Sequence, residues 1–164
     1  MKYTYLTTSI GEILLAADAT GLRLISFQTG KNPSQPESDW IEDAGFLAET
    51  ARQLEAYFAG TLEEFNLELS PQGTPFQMLV WQELGRIAYG TTISYGELAE
   101  RIGKPKAVRA VGAANGANPL PIVLPCHRVI GADGGLTGYG GGLEIKEALL
   151  SLEGALLDLG AADR

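Results

Sequence analysis

The chain has 164 residues, 45% of them hydrophobic, and a formal net charge of −8. This length supports one or two small domains with a hydrophobic core, and no apolar run approaches the ~20 residues that a membrane-spanning helix needs. One cysteine and one histidine are too few for a structural zinc site. The unpaired cysteine and the lack of a signal-peptide pattern predict a reducing, cytoplasmic location.

The negative net charge argues against nucleic-acid binding, but the charge is unevenly distributed. Residues 1–75 carry four basic and eleven acidic side chains, whereas residues 91–130 carry five basic and two acidic ones. A polyanion would therefore approach residues 91–130 more favourably than the N-terminal half. On its own, this imbalance does not exceed ordinary surface variation.

The N-terminal half has the pattern of a small α/β domain. Residues 13–17 and 22–27 predict two strands joined by a hairpin turn at 18–21. Apolar side chains at helical spacing over 46–59 predict a helix that stops at Gly60. Residues 65, 67 and 69 alternate like an edge strand. This domain spans 1–73, ends in the turn-rich segment 70–75, and has no catalytic constellation, so we expect it to be a scaffold.

The C-terminal half, residues 74–164, is predicted to be mainly helical. Thr74 and Pro75 form a good N-cap and first position of a helix. Residues 94–97 have the form of a capping box and open a second helix to about Ile102. After a turn at 103–105, a third helix covers 106–114. The last two helices and their turn predict a helix-turn-helix motif, and the whole chain is an α+β protein.

Cys126 and His127 are adjacent, and they are the only cysteine and histidine of the chain. A thiol with an ordinary pKa near ~8.5 needs help to lose its proton at neutral pH, and histidine titrates there. The preceding residues 122–124 predict a short buried strand, in which neighbouring side chains point to opposite faces. We therefore expect His127 to reach the thiol through a water or a turn. A structural cysteine beside a surface histidine is the alternative that the pair alone leaves open.

Residues 118–131 have the sequence NPLPIVLPCHRVIG. This run resembles the active-site segment of the O6-alkylguanine-DNA alkyltransferases, also called methylated-DNA–protein-cysteine methyltransferases. Similar blocks at 93–99, 108–112 and 138–154 keep the family's order and spacing, so the resemblance covers about residues 74–154. It implies a ribonuclease-H-like N-terminal domain and a winged-helix-like C-terminal domain.

The resemblance implies DNA repair by direct damage reversal, in which Cys126 accepts one alkyl group from O6-alkylguanine without cofactor or metal. His127 would relay the thiol proton through water, and Glu153 would orient its imidazole. Asn118 would tether the thiol-bearing segment, and Tyr95 would donate a hydrogen bond to the leaving guanine. A solvated surface glutamate is the alternative for Glu153, and activity on O4-alkylthymine stays open.

The resemblance also implies contacts with DNA. Arg109 matches the family's arginine finger, which fills the gap left by an everted nucleotide, because chemistry on a stacked base requires its extrusion. Ala110, Thr92 and Arg128 are expected to contact DNA as well, with a generic phosphate contact as the alternative for Arg109. The expected partner is double-stranded DNA containing O6-alkylguanine, and the chain is expected to be monomeric.

The base pocket is implied to include Tyr139, Val129, Gly140 and Lys146. The backbone of Val129 and Cys126 would bind the guanine amino group. Gly140 stands where some relatives have a hydroxyl residue near the O6 atom, so the backbone would have to supply that contact.

Two other functions compete with alkyl transfer. An alkyltransferase-like protein would bind damaged DNA without repairing it, but such relatives replace the cysteine that is present here as Cys126. A cysteine hydrolase would turn over an ester or amide, but the adjacency of Cys126 and His127 disfavours direct proton transfer between them.

Overall fold

The N-terminal half forms a four-stranded sheet in a computed structural model that describes residues 1–135, 139 and 142–155. The strands are β1 (Lys2–Thr8), β2 (Gly11–Asp18), β3 (Gly21–Phe27) and β4 (Ile41–Glu42). Their order is β3-β2-β1-β4, with antiparallel pairing except between β1 and β4. The predicted strands 13–17 and 22–27 are confirmed within β2 and β3. The sequence did not predict β1, because its tyrosines and threonines give no clear alternation of apolar and polar residues; most of its side chains are half-buried.

The hairpin between β2 and β3 is also confirmed. Asp18 pairs with Gly21, and Oδ1 of Asp18 accepts a hydrogen bond of 2.8 Å from the Thr20 amide. Gly21 has a φ of +142°, and a Cβ atom here would lie 2.7 Å from the Glu68 carbonyl oxygen. A glycine is therefore needed where the chain following the helix returns to the sheet.

The returning chain makes less regular structure than the sequence predicts. The Leu22 amide donates to the Glu68 carbonyl at 2.9 Å, and the Ser70 amide donates to the Leu22 carbonyl at 2.8 Å. Only an isolated bridge between Leu22 and Leu69 results. The prediction of an edge strand over residues 65–69 is therefore wrong, since the chain touches β3 at one end alone.

Helix α1 (Ala48–Phe58) packs against the sheet and lies within the predicted range 46–59. Gly60 follows it with a φ of +79°, as expected at a helix end. Gln53 of α1 holds the next segment by two hydrogen bonds to the Asn66 backbone, at 2.9 and 3.0 Å.

The C-terminal half contains four helices and one two-stranded parallel pair within the described residues. The helices are α2 (Pro75–Leu84), α3 (Tyr95–Arg101), α4 (Val108–Gly116) and α5 (Leu143–Leu152). The strands are β5 (Ile93–Ser94) and β6 (Val129–Ile130). With the sheet and α1, these elements confirm an α+β fold.

The helix starts follow the capping signals in the sequence. Thr74 and Gln77 form a complete capping box at α2. At α3, Ser94 accepts a hydrogen bond of 3.0 Å from the Glu97 amide, but the Glu97 carboxylate pairs with Arg101 at 3.2 Å. The predicted capping box at α3 is thus only half formed.

Helices α3 and α4 and the turn between them form the predicted helix-turn-helix. Helix α4 packs against both α2 and α3. A Cβ atom on Gly112 would lie 3.8 Å from the Tyr95 ring, and Nε1 of Trp81 in α2 donates to the Ala114 carbonyl at 2.8 Å. The face of α4 that begins with Arg109 remains exposed.

The strand predicted over residues 122–124 is wrong, because these residues form a turn. Ile122 has a φ of +75°, and the Leu124 amide donates to the Leu120 carbonyl at 2.8 Å. This turn directly precedes Pro125 and Cys126.

One hydrophobic core joins the two halves. The Ile25 amide on the outer edge of β3 donates to the Pro119 carbonyl at 2.9 Å. The segment before Cys126 is therefore held against the sheet edge. Core members from both halves include Leu15, Phe27, Leu54, Leu84, Val111 and Leu149.

Candidate active site

Cys126 begins a single turn of 3-10 helix, Cys126–Arg128, so the turn expected after the cysteine is present. Its side chain is 5% exposed and faces a cavity of about 300 Å³, at the lower end of the size range of small-molecule pockets. Both halves of the chain line this cavity. The other lining residues are Leu24, Ile25, Ser26, Phe27, Gly30, Asn32 and Ser34, followed by Asn115, Gly116, Ala117, Asn118, Pro119, Pro121 and Tyr139.

The Cys126 thiol is protonated at rest. Burial raises its pKa above the ordinary value, while Asn118, Tyr139 and the charge of Lys146 act in the opposite direction and only partly compensate. A thiol in this state is a weak nucleophile until a base accepts its proton. The site therefore needs a base close to Cys126.

The sequence expectation for this base is the neighbouring residue, His127. Its imidazole is fully buried, and Nε2 lies 2.7 Å from Oε2 of Glu153. The alternatives of a surface histidine and a solvated surface glutamate are both wrong, since Glu153 is 6% exposed. Helix α5 ends at Leu152, and Glu153 caps it. Gly154 follows with a φ of +79°, and this left-handed glycine turns the chain away from the helix.

Glu153 stays ionised despite its burial. Burial acts to raise its pKa, but hydrogen bonds from His127 and Arg128 outweigh this effect and lower the pKa to about 2. Nε of Arg128 donates to Oε1 at 2.8 Å, and Nη2 donates to Oε2 at 3.0 Å. A buried carboxylate with a bidentate arginine partner is well compensated.

The expected DNA contact of Arg128 is therefore wrong. Its side chain is 5% exposed, and Nη1 donates to the Ile87 carbonyl at 2.6 Å. The guanidinium also stacks on the Tyr89 ring, 5.6 Å from the ring centre. These partners occupy Arg128 inside the protein, where it supports Glu153 and is not presented at the surface.

The hydrogen bonds fix the tautomer of His127. Glu153 is ionised and only accepts, so Nε2 of His127 carries the proton, and Nδ1 presents its lone pair. Burial lowers the pKa of His127, which keeps the imidazole neutral. Nδ1 is buried without a hydrogen-bond partner among the described residues. A buried polar atom of this kind normally has a partner, and in the neutral imidazole Nδ1 is the nitrogen that can accept a hydrogen bond.

Two asparagines hold the backbone around Cys126. Nδ2 of Asn118 donates to the Leu124 carbonyl at 2.7 Å, and Oδ1 accepts from the Leu120 amide at 2.9 Å. Nδ2 of Asn115 lies 3.4 Å from the Cys126 carbonyl oxygen. Oδ1 of Asn115 is buried and has no hydrogen-bond partner among the described residues, although the residue lines the cavity.

The same asparagine contacts maintain a strained turn. Ile122 is a β-branched residue in the left-handed region, a conformation that costs ~1–3 kcal/mol. Its side chain is 1% exposed, and the Asn118 bonds on both sides of it close the turn. The strain lies four residues before the nucleophile, in the segment that fixes the thiol position.

Tyr139 forms one wall of the cavity, as its sequence position implied. Its ring packs on Phe27 of β3, with 6.0 Å between ring centres. Burial raises the pKa of Tyr139 well above its ordinary value, so the hydroxyl remains a donor. The other expected pocket residue from this loop, Gly140, lies outside the described residues.

Val129 and Lys146 do not line this cavity in the described part of the chain. Both are fully buried, and Nζ of Lys146 donates to the Val129 carbonyl at 2.7 Å. The amine also lies 5.9 Å from the centre of the Tyr95 ring. Burial lowers the pKa of Lys146 to about 8. The pair therefore supports the site from behind, and the Lys146 charge favours the Cys126 thiolate.

The expected DNA-contacting residues of the helix-turn-helix lie at the surface. Arg109 and Ala110 are exposed on α4, and Thr92 is half-buried just before β5. Lys104 and Lys106 are exposed in the preceding turn. Three positive charges, on Lys104, Lys106 and Arg109, are therefore exposed at or just before the N-terminal end of α4.

Two observations concern metals and membranes. Within residues 1–135, 139 and 142–155, no group of three or more His, Cys, Asp or Glu side chains is placed to hold a metal ion. None of the helices in that part of the chain is both long enough and apolar enough to cross a membrane.

Sequence reasoning missed two residues of the site. Tyr57 donates a hydrogen bond to Glu153 at 2.6 Å, and Asn115 contacts the Cys126 backbone. Tyr57 lies on the apolar face of α1, where its pattern indicates an ordinary core residue. Asn115 lies in a run of small residues, and only its polarity near the end of α4 could have drawn attention to it.

Family models of known proteins match both halves of the chain. A family model described as "6-O-methylguanine DNA methyltransferase, ribonuclease-like domain" matches residues 1–71. Another, described as "6-O-methylguanine DNA methyltransferase, DNA binding domain", matches residues 75–155.

Relatives with the name methylated-DNA–protein-cysteine methyltransferase match along nearly the whole chain. The Methanosarcina acetivorans protein is 54% identical over 155 residues, which cover 94% of this chain and 99% of that protein. The Mycobacterium tuberculosis protein is 51% identical over 156 residues, covering 93% and 92%. A crystal structure of Mycobacterium tuberculosis OGT in complex with DNA has a TM-score of 0.88 and 47% identity, with 94% of each chain covered.

The fold and the site together define a single-cysteine protein with a buried histidine–glutamate relay behind a small cavity. The two family models together span most of the chain, and the relatives share about half of its residues. The chain belongs to the 6-O-methylguanine DNA methyltransferase family.

Proposed function

We propose that the protein repairs DNA by moving the alkyl group of O6-alkylguanine in double-stranded DNA onto Cys126, once and irreversibly. This is the activity of a methylated-DNA–protein-cysteine methyltransferase, the name carried by relatives that are 51–55% identical. The observation that carries the assignment to Cys126 is its position, at the cavity wall and directly before His127, which is bonded to Glu153.

The transfer is a displacement at the alkyl carbon. The sulfur forms a C–S bond while the bond between that carbon and O6 breaks, and the electron pair leaves with guanine. The thiol proton passes through a bridging water to Nδ1 of His127 and then to the departing guanine, which becomes the ordinary base. Glu153, with a pKa of about 2, stabilises the imidazolium and does not itself take the proton.

Several neighbours prepare this step. Asn118 and Asn115 hold the backbone around the thiol, and Lys146 favours the thiolate by its charge. We assign Tyr95 as the donor to the departing guanine, by its match to the family motif. The alkylated cysteine is a stable thioether, from which the thiolate does not readily leave, so each molecule acts once.

The exposed surface of α4 is proposed to deliver the base. Arg109 enters the base stack in place of the everted nucleotide, while Ala110 and Thr92 contact the strand. Eversion costs a few kcal/mol, and the insertion of Arg109 offsets part of it. The small residues of α4 allow the DNA backbone to approach closely.

The domain boundary, the oligomeric state and the cellular location are also proposed. We place the boundary between the N-terminal and C-terminal domains at 73/74, and the limits of the two family models at 71 and 75 support it. We also infer a monomeric, cytoplasmic protein, in keeping with a DNA repair function and a single unpaired thiol.

Stoichiometric alkylation tests the function. A duplex oligonucleotide with one O6-methylguanine, labelled in the methyl group, should transfer one methyl per protein molecule, and peptide mapping should locate it on Cys126. The variant Cys126→Ala should bind the duplex and accept no label. Label transfer by that variant, or a wild-type protein that binds without a gain in mass, would contradict the proposal.

The same reaction separates the alternatives. A hydrolase would release product repeatedly, whereas the alkyl acceptor stops after one equivalent. Intact-protein mass after incubation with free O6-benzylguanine should increase by a single benzyl group. This measurement also tests whether the cavity accepts a large alkyl group.

A further inference from the structure

Tyr57 connects the N-terminal half to the proton relay. Its hydroxyl donates a hydrogen bond of 2.6 Å to Oε2 of Glu153, 96 positions away in the sequence. The side chain has an exposed fraction of 0%. Its ring packs edge-on against Phe58 and Tyr89 and in a tilted arrangement against Phe65. These aromatic contacts fix the direction of the hydroxyl.

The oxygen that Tyr57 contacts is the one that faces His127. Oε2 of Glu153 accepts from Nε2 of His127 at 2.7 Å, from Nη2 of Arg128 at 3.0 Å and from the Tyr57 hydroxyl. Each of these donors withdraws negative charge from the same oxygen. The strength of the Tyr57 bond therefore affects how strongly Oε2 attracts the proton on His127.

We propose that Tyr57 is a positioning residue of the alkyl-transfer reaction, which sets the basicity of His127 through Glu153. This role rests on the function proposed above and adds the N-terminal half to the relay. It differs from the scaffold role that the sequence predicts for that half. Tyr57 touches neither the thiol nor the base, so its effect on the reaction passes through Glu153.

Removal of the hydroxyl has a defined electrostatic consequence. With one donor fewer, Oε2 presents more negative charge to His127 and favours the imidazolium over the neutral imidazole. The relay needs the neutral form. As the pH is lowered, the variant without the hydroxyl should therefore begin to lose activity at a higher pH than the wild type. The other titratable or charged groups around the relay are unchanged by this substitution; they are Arg128, Lys146, Tyr89, Tyr139 and Cys126.

The test is the pH dependence of methyl transfer by Tyr57→Phe under single-turnover conditions. The acidic limb of the rate profile should move upward by roughly half to one pH unit, so that the rate at the acidic end falls about three- to tenfold while the alkaline rate is nearly unchanged. Tyr89→Phe is the matched control. It removes a hydroxyl from the ring that packs on Tyr57, and this hydroxyl makes no hydrogen bond within the described residues, so its profile should follow the wild type.

His127 can also be observed directly. It is the only histidine of the chain, so after removal of any affinity tag a single imidazole resonance reports its titration. In Tyr57→Phe, this resonance should titrate at a higher pH than in the wild type and in Tyr89→Phe. The measurement does not depend on DNA binding or on the chemical step.

Two results would overturn the proposal. One is a Tyr57→Phe profile and His127 titration that superimpose on the wild type. The other is an equal fall in rate at every pH, which indicates a structural role alone. Failure of the wild type to accept any alkyl group would instead refute the proposed function.

A second replacement covers the case in which Tyr57→Phe does not fold. Site-specific 3-fluorotyrosine at position 57 keeps the ring and makes the hydroxyl a stronger donor. The acidic limb and the His127 titration should then move in the opposite direction, to lower pH. A shift upward, or none at all, would contradict the role of Tyr57.

Discussion

Cys126 is a nucleophile that the protein keeps unreactive. Its thiol is 5% exposed, and burial raises its pKa, so neither access nor ionisation favours reaction with reagents in solution. Its reaction depends on a substrate that fits the cavity and on a base that takes the proton. Selectivity for a damaged base therefore follows from the environment of the sulfur, because the sulfur is intrinsically capable of attacking many alkyl donors.

We predict that iodoacetamide modifies native Cys126 far more slowly than the same residue in the urea-unfolded chain. At pH 7.5 the difference should be roughly 100-fold or more, because unfolding restores both exposure and an ordinary thiol pKa. Since the chain has a single cysteine, intact-protein mass reports the reaction without ambiguity. Equal rates in the two states would show that folding neither shields the thiol nor raises its pKa.

At the scale of single residues, the sequence predicts which side chains react better than it predicts which side chains surround them. The pairing of Cys126 with His127 can be predicted from their adjacency, and the part of Glu153 follows from the resemblance to the family. The role of Arg128 cannot be predicted, because a positive charge in a basic segment suits a phosphate as well as a buried carboxylate. Tyr57 is missed because its partner Glu153 lies 96 positions away in the sequence, and Asn115 because it lies in a run of small residues with no recognisable motif.

The element that carries the nucleophile is a stiff turn, and this is where local prediction fails. Three apolar residues at 122–124 fit a buried strand or a buried turn equally well. The turn is favoured because the Asn118 side chain hydrogen-bonds the carbonyl of Leu124 and the amide of Leu120. In a strand, these backbone groups would need partners on a neighbouring strand. A left-handed Ile122 follows from that closure, and no local preference would suggest it.

Helix α4 has a clearer relation between sequence and role. It packs against α2, where Trp81 donates to the Ala114 carbonyl, and Gly112 faces the Tyr95 ring of α3. Its first turn carries Arg109 to the surface, where it makes no ion pair with another described residue. Its exposure is consistent with the insertion into the base stack that we propose for Arg109.

We predict that Arg109→Ala impairs transfer from DNA and leaves the chemistry intact. Methyl transfer from duplex O6-methylguanine should slow by roughly 30- to 300-fold, because base eversion costs a few kcal/mol that the arginine helps to offset. Alkylation by free O6-benzylguanine needs no eversion and should stay within about twofold of the wild type. Single-turnover rates with both substrates measure the difference.

Lys106→Ala is the control for loss of charge alone. Lys106 is exposed beside α4, and its removal should weaken DNA binding and reduce the dependence of that binding on salt, because fewer counterions are released. If Arg109→Ala behaves in the same way as Lys106→Ala, Arg109 is a phosphate contact and does not enter the base stack.

The molecule as a whole depends on contacts between its two halves. The sheet edge holds the segment before Cys126 through Ile25, and α1 reaches Glu153 through Tyr57. Cavity residues also come from both halves. The sequence pattern separates two domains at the 70–75 turn, but it contains no sign of these contacts, because they join residues far apart in the chain.

We predict that acid destabilises the whole fold in two stages. The first is due to protonation of His127 and the second to protonation of Glu153. Burial lowers the pKa of His127 below 6.5, so the unfolded chain binds a proton that the folded chain excludes, and stability falls as the pH drops below that value. Glu153 has a folded pKa of about 2 against an ordinary 4.5. Its contribution, on the order of 3 kcal/mol, is present above pH 4.5 and is lost as the pH falls towards 2.

Urea unfolding at pH 7.5, 5.5 and 4 measures this loss. Because His127 is the only histidine, and carboxylates with ordinary pKa values bind few protons above pH 5.5, the decrease between the first two pH values belongs mainly to His127. The variant His127→Gln keeps a side chain that hydrogen-bonds Glu153 but does not titrate, so its stability should change little over that interval. A wild-type free energy of unfolding that is constant from pH 7.5 to 5.5 would mean that His127 does not form the neutral, buried base on which the alkyl transfer depends.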